Sequence, residues 1–348
     1  SGCYGQNGAD DVTADAAVLS QAVGAPVRLQ WMRRDETSYE PKGPAMLMQV
    51  RGGLDAAGSV VAWDYEVWSP NHAGRPFAGM GGNLLAGEEQ GMGQRFIEAG
   101  ADRNAKSSYT FANQRVLLHQ LKGAPLRTSS LRGLGSPQNS FANESFIDEL
   151  AVAANADPIA FRLKHLSDER AIAVLNDVAK LSKWEPRPAG NRASGIGRGV
   201  AFVQYDNYSA YAALVVQVKV DRASGATRVE RCWISHDCGL IVNPDGTRNQ
   251  IEGNIVQTIS RALYEEVRFN RRGVASVDWA TYPIMRFTDV PDEIAISLIN
   301  RPDKESLGVG EPAAAPVMAA IANAIFDATG VRLRSVPFTP QRLKAALG

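Results

Sequence analysis

Gly308-Val309-Gly310-Glu311-Pro312 runs directly into the alanine-rich stretch Ala313–Thr329. Alanine is the strongest helix former, and Pro312 suits a first helical position, where no N–H is needed. The glycines at 308 and 310 permit positive φ and a close approach of backbone to a ligand. The turn therefore sets a single carboxylate, Glu311, at the start of a helix. Two readings are open on these residues alone. Glu311 caps the helix, or it is a buried general base. In the second case the helix N-terminus favours its charge and burial opposes it, a balance suited to proton transfer near neutral pH.

Outward from this turn, the composition is that of a globular chain: 348 residues, 45% hydrophobic and 21% charged. That length supports a large core and two or three subdomains. The 37 basic and 37 acidic side chains cancel, so no global field attracts nucleic acid. No run of 18 uninterrupted apolar residues occurs, so no membrane span is expected. Cys3, Cys232 and Cys238 are too few and too scattered for a disulfide framework or a metal cluster, and read as free thiols. The opening Ser1-Gly2-Cys3-Tyr4-Gly5 carries no leader pattern and reads as the middle of a fold, one piece of a longer or processed polypeptide. The low cysteine count does not decide the compartment.

Periodicity predicts a helix over 10–23, a strand over 27–31, and a hairpin of strands 45–52 and 60–68 around Asp55-Ala56-Ala57-Gly58. Residues 69–107 are glycine-rich and read as a long functional or subunit-contact loop. A strand follows at 116–121, then a polar loop over 127–137. Three helices come next: 139–154, with Phe141, Phe146, Ile147 and Leu150 on an apolar face; 158–166, capped by Asp157; and 168–184. Beyond a connector at 185–199, strands are expected at 210–220, 227–236 and 293–300, and a helix at 249–265. The class is α+β, with mixed sheets and packed helices in two subdomains, 1–184 and 200–348.

Besides Glu311, three segments could carry chemistry. In Ser129-Ser130-Leu131-Arg132-Gly133-Leu134-Gly135, backbone N–H groups and Arg132 could hold an anionic or oxo ligand; an exposed surface loop is the plain alternative. Gly2-Cys3-Tyr4-Gly5-Gln6-Asn7-Gly8 is a glycine-rich turn before a helix, a generic anion cradle that lacks the dinucleotide spacing. His236-Asp237-Cys238-Gly239 leads through Asn243-Pro244 to Gln250, whose amide could face a ligand or solvent. His236 and Asp237, adjacent on a strand, point to opposite faces and make a poor catalytic dyad. The four histidines show no metal-ligand spacing, so any metal must arrive with a cofactor.

In this order the four segments resemble the molybdenum-binding large subunit of the xanthine oxidase family, over nearly the whole chain. Cys3–Asp11, Leu131–Gly135, Asn243–Gly253 and Ala319–Ala324 are most similar to its nicotinate dehydrogenase and isoquinoline 1-oxidoreductase branch. The resemblance implies molybdopterin, in its plain or cytosine dinucleotide form, holding molybdenum through a dithiolene with no protein ligand. It implies hydroxylation of an N-heteroaromatic compound, or oxidation of an aldehyde, with oxygen from water. Glu311 matches the family's catalytic base. Tyr4 and Gly5 match a phenylalanine–glycine pair beside the cofactor. Leu131 and Arg132 match the loop that approaches metal and substrate, Gln250 a glutamine on the pterin, and Leu134 a substrate-stacking aromatic. Tyr4 for phenylalanine, Cys3 for glycine and a non-aromatic Leu134 make a purine sandwiched between two rings a poor fit. The family's large subunit has a further, earlier half, and this chain has no cysteine cluster for iron–sulfur centres. The expected partners are a chain supplying that half, an iron–sulfur subunit, and a c-type cytochrome or flavin subunit. A non-catalytic scaffold of such a complex is the alternative.

Overall fold

The computed structural model describes residues 4, 11–74, 83–93, 99–186 and 195–348. α1 (Asp11–Val23) and α2 (Arg33–Tyr39) come first. The expected strand at 27–31 is absent: the segment is irregular and leads into α2, and Trp31 donates instead to Asp15 Oδ2, 3.1 Å away. Extended backbone becomes a strand only with a ladder partner.

β1 (Leu47–Leu54) and β2 (Val60–Ser69) form the expected antiparallel hairpin, and β3 (Gln114–Gln120) adds parallel to β2. Between them, the long 69–107 stretch contains the short α3 (Leu85–Glu89). The helices α4 (Ser136–Ala153), α5 (Pro158–Lys164) and α6 (Glu169–Leu181) follow. Asp157 and Asp168 cap the last two by accepting first-turn N–H groups. α4 is not the half-exposed amphipathic helix its sequence suggests. Ser136, Asn139, Ser140, Asn143, Glu144 and Asp148 are buried along with its apolar residues, because α4 has packed neighbours on both sides.

The second sheet is a meander of β4 (Ile196–Gln204), β5 (Tyr211–Asp221) and β6 (Ala226–Asp237), with β9 (Glu293–Leu298) parallel to β6. β4 thus begins within the expected 185–199 connector. α7 (Pro244–Leu263) starts five residues earlier than expected, at the Asn243 cap, whose Oδ1 accepts from Gly246 N at 2.9 Å. The small hairpin β7 (Phe269–Asn270) and β8 (Gly273–Val274) comes before β9 in the chain.

The stretch after Glu311 is a 3₁₀ turn, Pro312–Ala314, followed by α8 (Val317–Thr329) rather than one continuous helix. Pro316 has no N–H to return to the preceding turn, so the helix restarts after it. α9 (Pro340–Leu347) closes the chain. Every residue of α8 is buried. It lies against β4 and β5 so closely that a Cβ at Gly199 would stand 2.2 Å from the Ala324 nitrogen.

The second sheet is covered on both faces. Ala201, Val203, Ala212, Leu214 and Val216 pack with α7 and α8. Val200, Phe202, Ala213, Val215 and Trp233 pack with β2, α5 and α6. One layered α+β body therefore brings the loop before α4, the end of β4, the first turns of α7 and the turn before α8 to a common place.

Candidate active site

Glu311 does not cap the helix that follows it: its side chain accepts no N–H from that turn. Its Oε1 accepts from the Gly133 backbone N–H at 3.1 Å, and its Oε2 from the Tyr205 hydroxyl at 2.6 Å. Arg103 Nη1 lies 3.6 Å from Oε2 and donates to the Tyr205 oxygen at 2.6 Å. Gly133 reaches Glu311 because its φ of +92° is a left-handed conformation that glycine adopts without strain. Gly308 has φ +78°. Gly310 has no such conformation; its carbonyl instead accepts from Arg132 Nε at 2.7 Å.

Arg132 is the hub of the other side. Its Nη1 donates to Gln257 Oε1 at 2.9 Å, and its Nη2 to Gln250 Oε1 at 2.6 Å. Its backbone N–H bonds the Tyr4 carbonyl at 2.9 Å, and the Tyr4 ring lies 5.3 Å from its guanidinium carbon. Burial pulls Arg132 below its ordinary value, partly offset by Tyr4 and Glu311. Arg261 Nη1 donates to the Arg132 carbonyl at 3.0 Å.

Tyr4, Arg132, Gln250 and Glu311, drawn from four parts of the chain, therefore meet. Gly5, with Cys3, lies outside the described residues. The Leu131 side chain turns away towards Gly43 and lines a cavity of about 850 Å³ with Met46, Met48, Phe141 and Met318. Leu134, at φ +49°, packs over Gly100. Cys232 and Cys238 are free and buried. The His236–Asp237 dyad is not formed. His236 is buried with neither ring nitrogen partnered among the described residues, and Asp237 is held by Arg170, Arg301 and the Gly239 N–H. Burial alone would raise the Asp237 carboxyl, but those donors hold it below the usual carboxylate range.

Two models, both described as molybdopterin cofactor-binding domain, match residues 86–166 and 161–291. A nicotinate dehydrogenase subunit of Pseudomonas putida is 45% identical over the whole chain, which spans 30% of that relative. The beta subunit of isoquinoline 1-oxidoreductase of Brevundimonas diminuta is 30% identical over 97% of the chain, which spans 42% of it. This chain is a molybdopterin cofactor-binding member of the xanthine oxidase family. The aldehyde oxidoreductase of Desulfovibrio gigas shares its fold, with a TM-score of 0.77 at 17% identity over 99% of this chain and 54% of that one. The expected class and the expected cofactor stand. The chain spans less than half the length of both curated relatives.

The residues present fit that cofactor. Asn254, fully buried, spends its Nδ2 on the Gly310 and Gln250 carbonyls, and its Oδ1 has no partner among the described residues beside the Glu311 turn. A buried polar atom in that state calls for an external donor. Among the described residues, a Cβ at Gly308 or Gly310 would meet no atom within 4 Å, so the turn is open to them, and Gln250 is exposed beside it.

Reading the sequence missed Tyr205, Arg103, Asn254 and Gln257. The signal for the first was Tyr205-Asp206-Asn207 at a strand end. Asp and Asn tolerate the left-handed φ of 56° and 60° found there. Arg103 sits in the 69–107 stretch, whose sequence reads only as functional or contact-making.

Proposed function

We propose that this chain is the catalytic portion of a molybdenum hydroxylase whose substrate is an N-heteroaromatic compound or an aldehyde. The carrying observation is Glu311: a partly exposed carboxylate on an open turn, oriented by one backbone donor and one phenol, next to the Arg132–Gln250 pair. The cofactor, when bound, supplies two-electron chemistry and activation of water. Gln250 and Tyr4 would hold it, with the buried Asn254 amide behind the Glu311 turn. Arg132 fixes Gln250 and the Gly310 carbonyl, which keeps the Glu311 turn in place. Glu311 takes the proton released as the substrate is hydroxylated, and Leu134 forms an aliphatic wall beside the loop. Subdomain 1–184 supplies Tyr4 and Arg132, and subdomain 200–348 supplies Gln250 and Glu311. Electrons leave through an iron–sulfur partner to a cytochrome or flavin subunit, and a further chain or segment supplies the rest of the cofactor cradle.

Glu311→Gln keeps the shape and removes the base. In the assembled enzyme, turnover should fall by about 10²–10⁴-fold, the range for a lost general base, with molybdenum and pterin content unchanged. Retained turnover overturns the role. A purified wild-type complex with neither molybdenum nor pterin would favour a scaffold instead.

A further inference from the structure

The two oxygens of Glu311 are served unequally. Oε2 accepts the Tyr205 O–H at 2.6 Å and lies 3.6 Å from the Arg103 guanidinium. Oε1 has one donor among the described residues, the Gly133 backbone N–H at 3.1 Å. Each carboxylate oxygen has about two lone-pair sites. Those of Oε2 are directed at a phenol and a cation, and one site of Oε1 is filled by no described residue.

The arrangement is braced. Asp206 pairs with Arg103 on its far side, Nε to Oδ2 at 3.3 Å. Asn104 ties the two segments together: its Oδ1 accepts from Asp206 N at 2.9 Å and its Nδ2 donates to the Gln204 carbonyl at 2.7 Å. Tyr205 is buried, 6% exposed, so its hydroxyl has little water to turn to. Segments about a hundred residues apart are thus joined so that a cation, a phenol and a carboxylate stand in line.

We infer, on the reading of Glu311 as the base, that Tyr205 backed by Arg103 is a positioning residue that occupies Oε2 and leaves Oε1 to take the proton. The phenol is a donor throughout the working pH range: burial, then the charge and hydrogen bond of Glu311, push it well above its ordinary value, with Arg103 opposing. Burial would lower Arg103, but Tyr205, Asp206 and Glu311 outweigh it. Four charged or titratable groups face the carboxylate: Tyr205, Arg103, Asp206 and Arg132. Arg132 spends its side-chain donors on Gly310, Gln250 and Gln257. That leaves the Tyr205–Arg103 pair as the side-chain donors aimed at the carboxylate among the described residues.

The test is Tyr205→Phe in the assembled, molybdenum-loaded enzyme, which deletes one oxygen and keeps the ring. A donor removed from a carboxylate makes its charged form harder to keep. The acid limb of the kcat/KM–pH profile should therefore move up by about one pH unit, a tenfold loss below the limb, while melting temperature and molybdenum content stay near wild type. Arg103→Gln, at a partly exposed site, should shift the limb in the same direction. Unmoved limbs in both variants, or a loss equal at every pH, overturn the inference. Glu311→Gln separates the two failures. If it stays active, the base reading falls and this inference with it. If it is inactive while the Tyr205→Phe limb is unmoved, only this inference falls.

Discussion

Arg132 is only 7% exposed, and its guanidinium meets the Gly310 carbonyl, Gln257 and Gln250 at once. A planar fork with five N–H donors can do this, and a lysine ammonium on a flexible stem cannot. Arg132→Lys should lower turnover at least tenfold and stability by about 1–3 kcal/mol, the cost of buried acceptors left unpaired. Steady-state kinetics and urea unfolding check both; wild-type turnover would remove Arg132 from the site. At this scale the sequence was readable where a polar residue stands between glycines. Arg132 in Leu131-Arg132-Gly133 and Glu311 in Gly310-Glu311-Pro312 are of that kind. Tyr205 and Arg103 have ordinary local surroundings, and their meaning comes from a contact 102 residues long.

Helix α4 shows how an element can be found correctly and its environment misjudged. Its polar residues look like a solvent face, yet Glu144 is 2% exposed. Its carboxylate accepts from Tyr109 Oη at 2.7 Å, Arg162 Nε at 2.9 Å and the Phe202 backbone N–H at 2.8 Å. Arg162 is fully buried, and burial would lower its value; the charge of Glu144 leads the interactions that raise it instead. Removing one partner of such a pair strands the other charge. Glu144→Ala should cost about 3–5 kcal/mol in denaturant unfolding, and a loss below about 1 kcal/mol would show that water reaches Arg162. The Phe202 contact ties α4 to β4, so the variant should also loosen the strand that ends just before Tyr205.

For the whole molecule, three buried histidines, His72, His165 and His236, set a pH dependence of one sign, since burial lowers each. Burial pushes His72 down to about 4, helped by Arg261 and Arg103, and His236 down to about 4 against the pull of Asp237. Unfolded histidines titrate near 6.5. Between those values the unfolded chain binds more protons than the folded one, so stability rises with pH across the window. Acidifying from about 6.5 to about 4 should remove on the order of 3 kcal/mol for each of His72 and His236. His236→Leu should flatten that slope in urea unfolding measured from pH 7 to pH 4.5. An unchanged slope would mean that the folded protein opens to protonate His236.

Local sequence determined the elements whose causes are local. These are the β1–β2 hairpin around Asp55–Gly58, the Asp157 and Asp168 caps, and the alanine-rich helix before which Glu311 stands. The resemblance in four ordered segments carried the cofactor class, which the family matches bear out. Tertiary structure alone decided whether Glu311 caps a helix or faces Gly133 and Tyr205, whether residues 27–31 pair as a strand, and which polar residues of α4 are buried. The physical reason is the same in each case. A turn or a cap is settled by a few neighbouring dihedrals and donors, whereas the state of a carboxylate depends on donors that folding brings from distant parts of the chain.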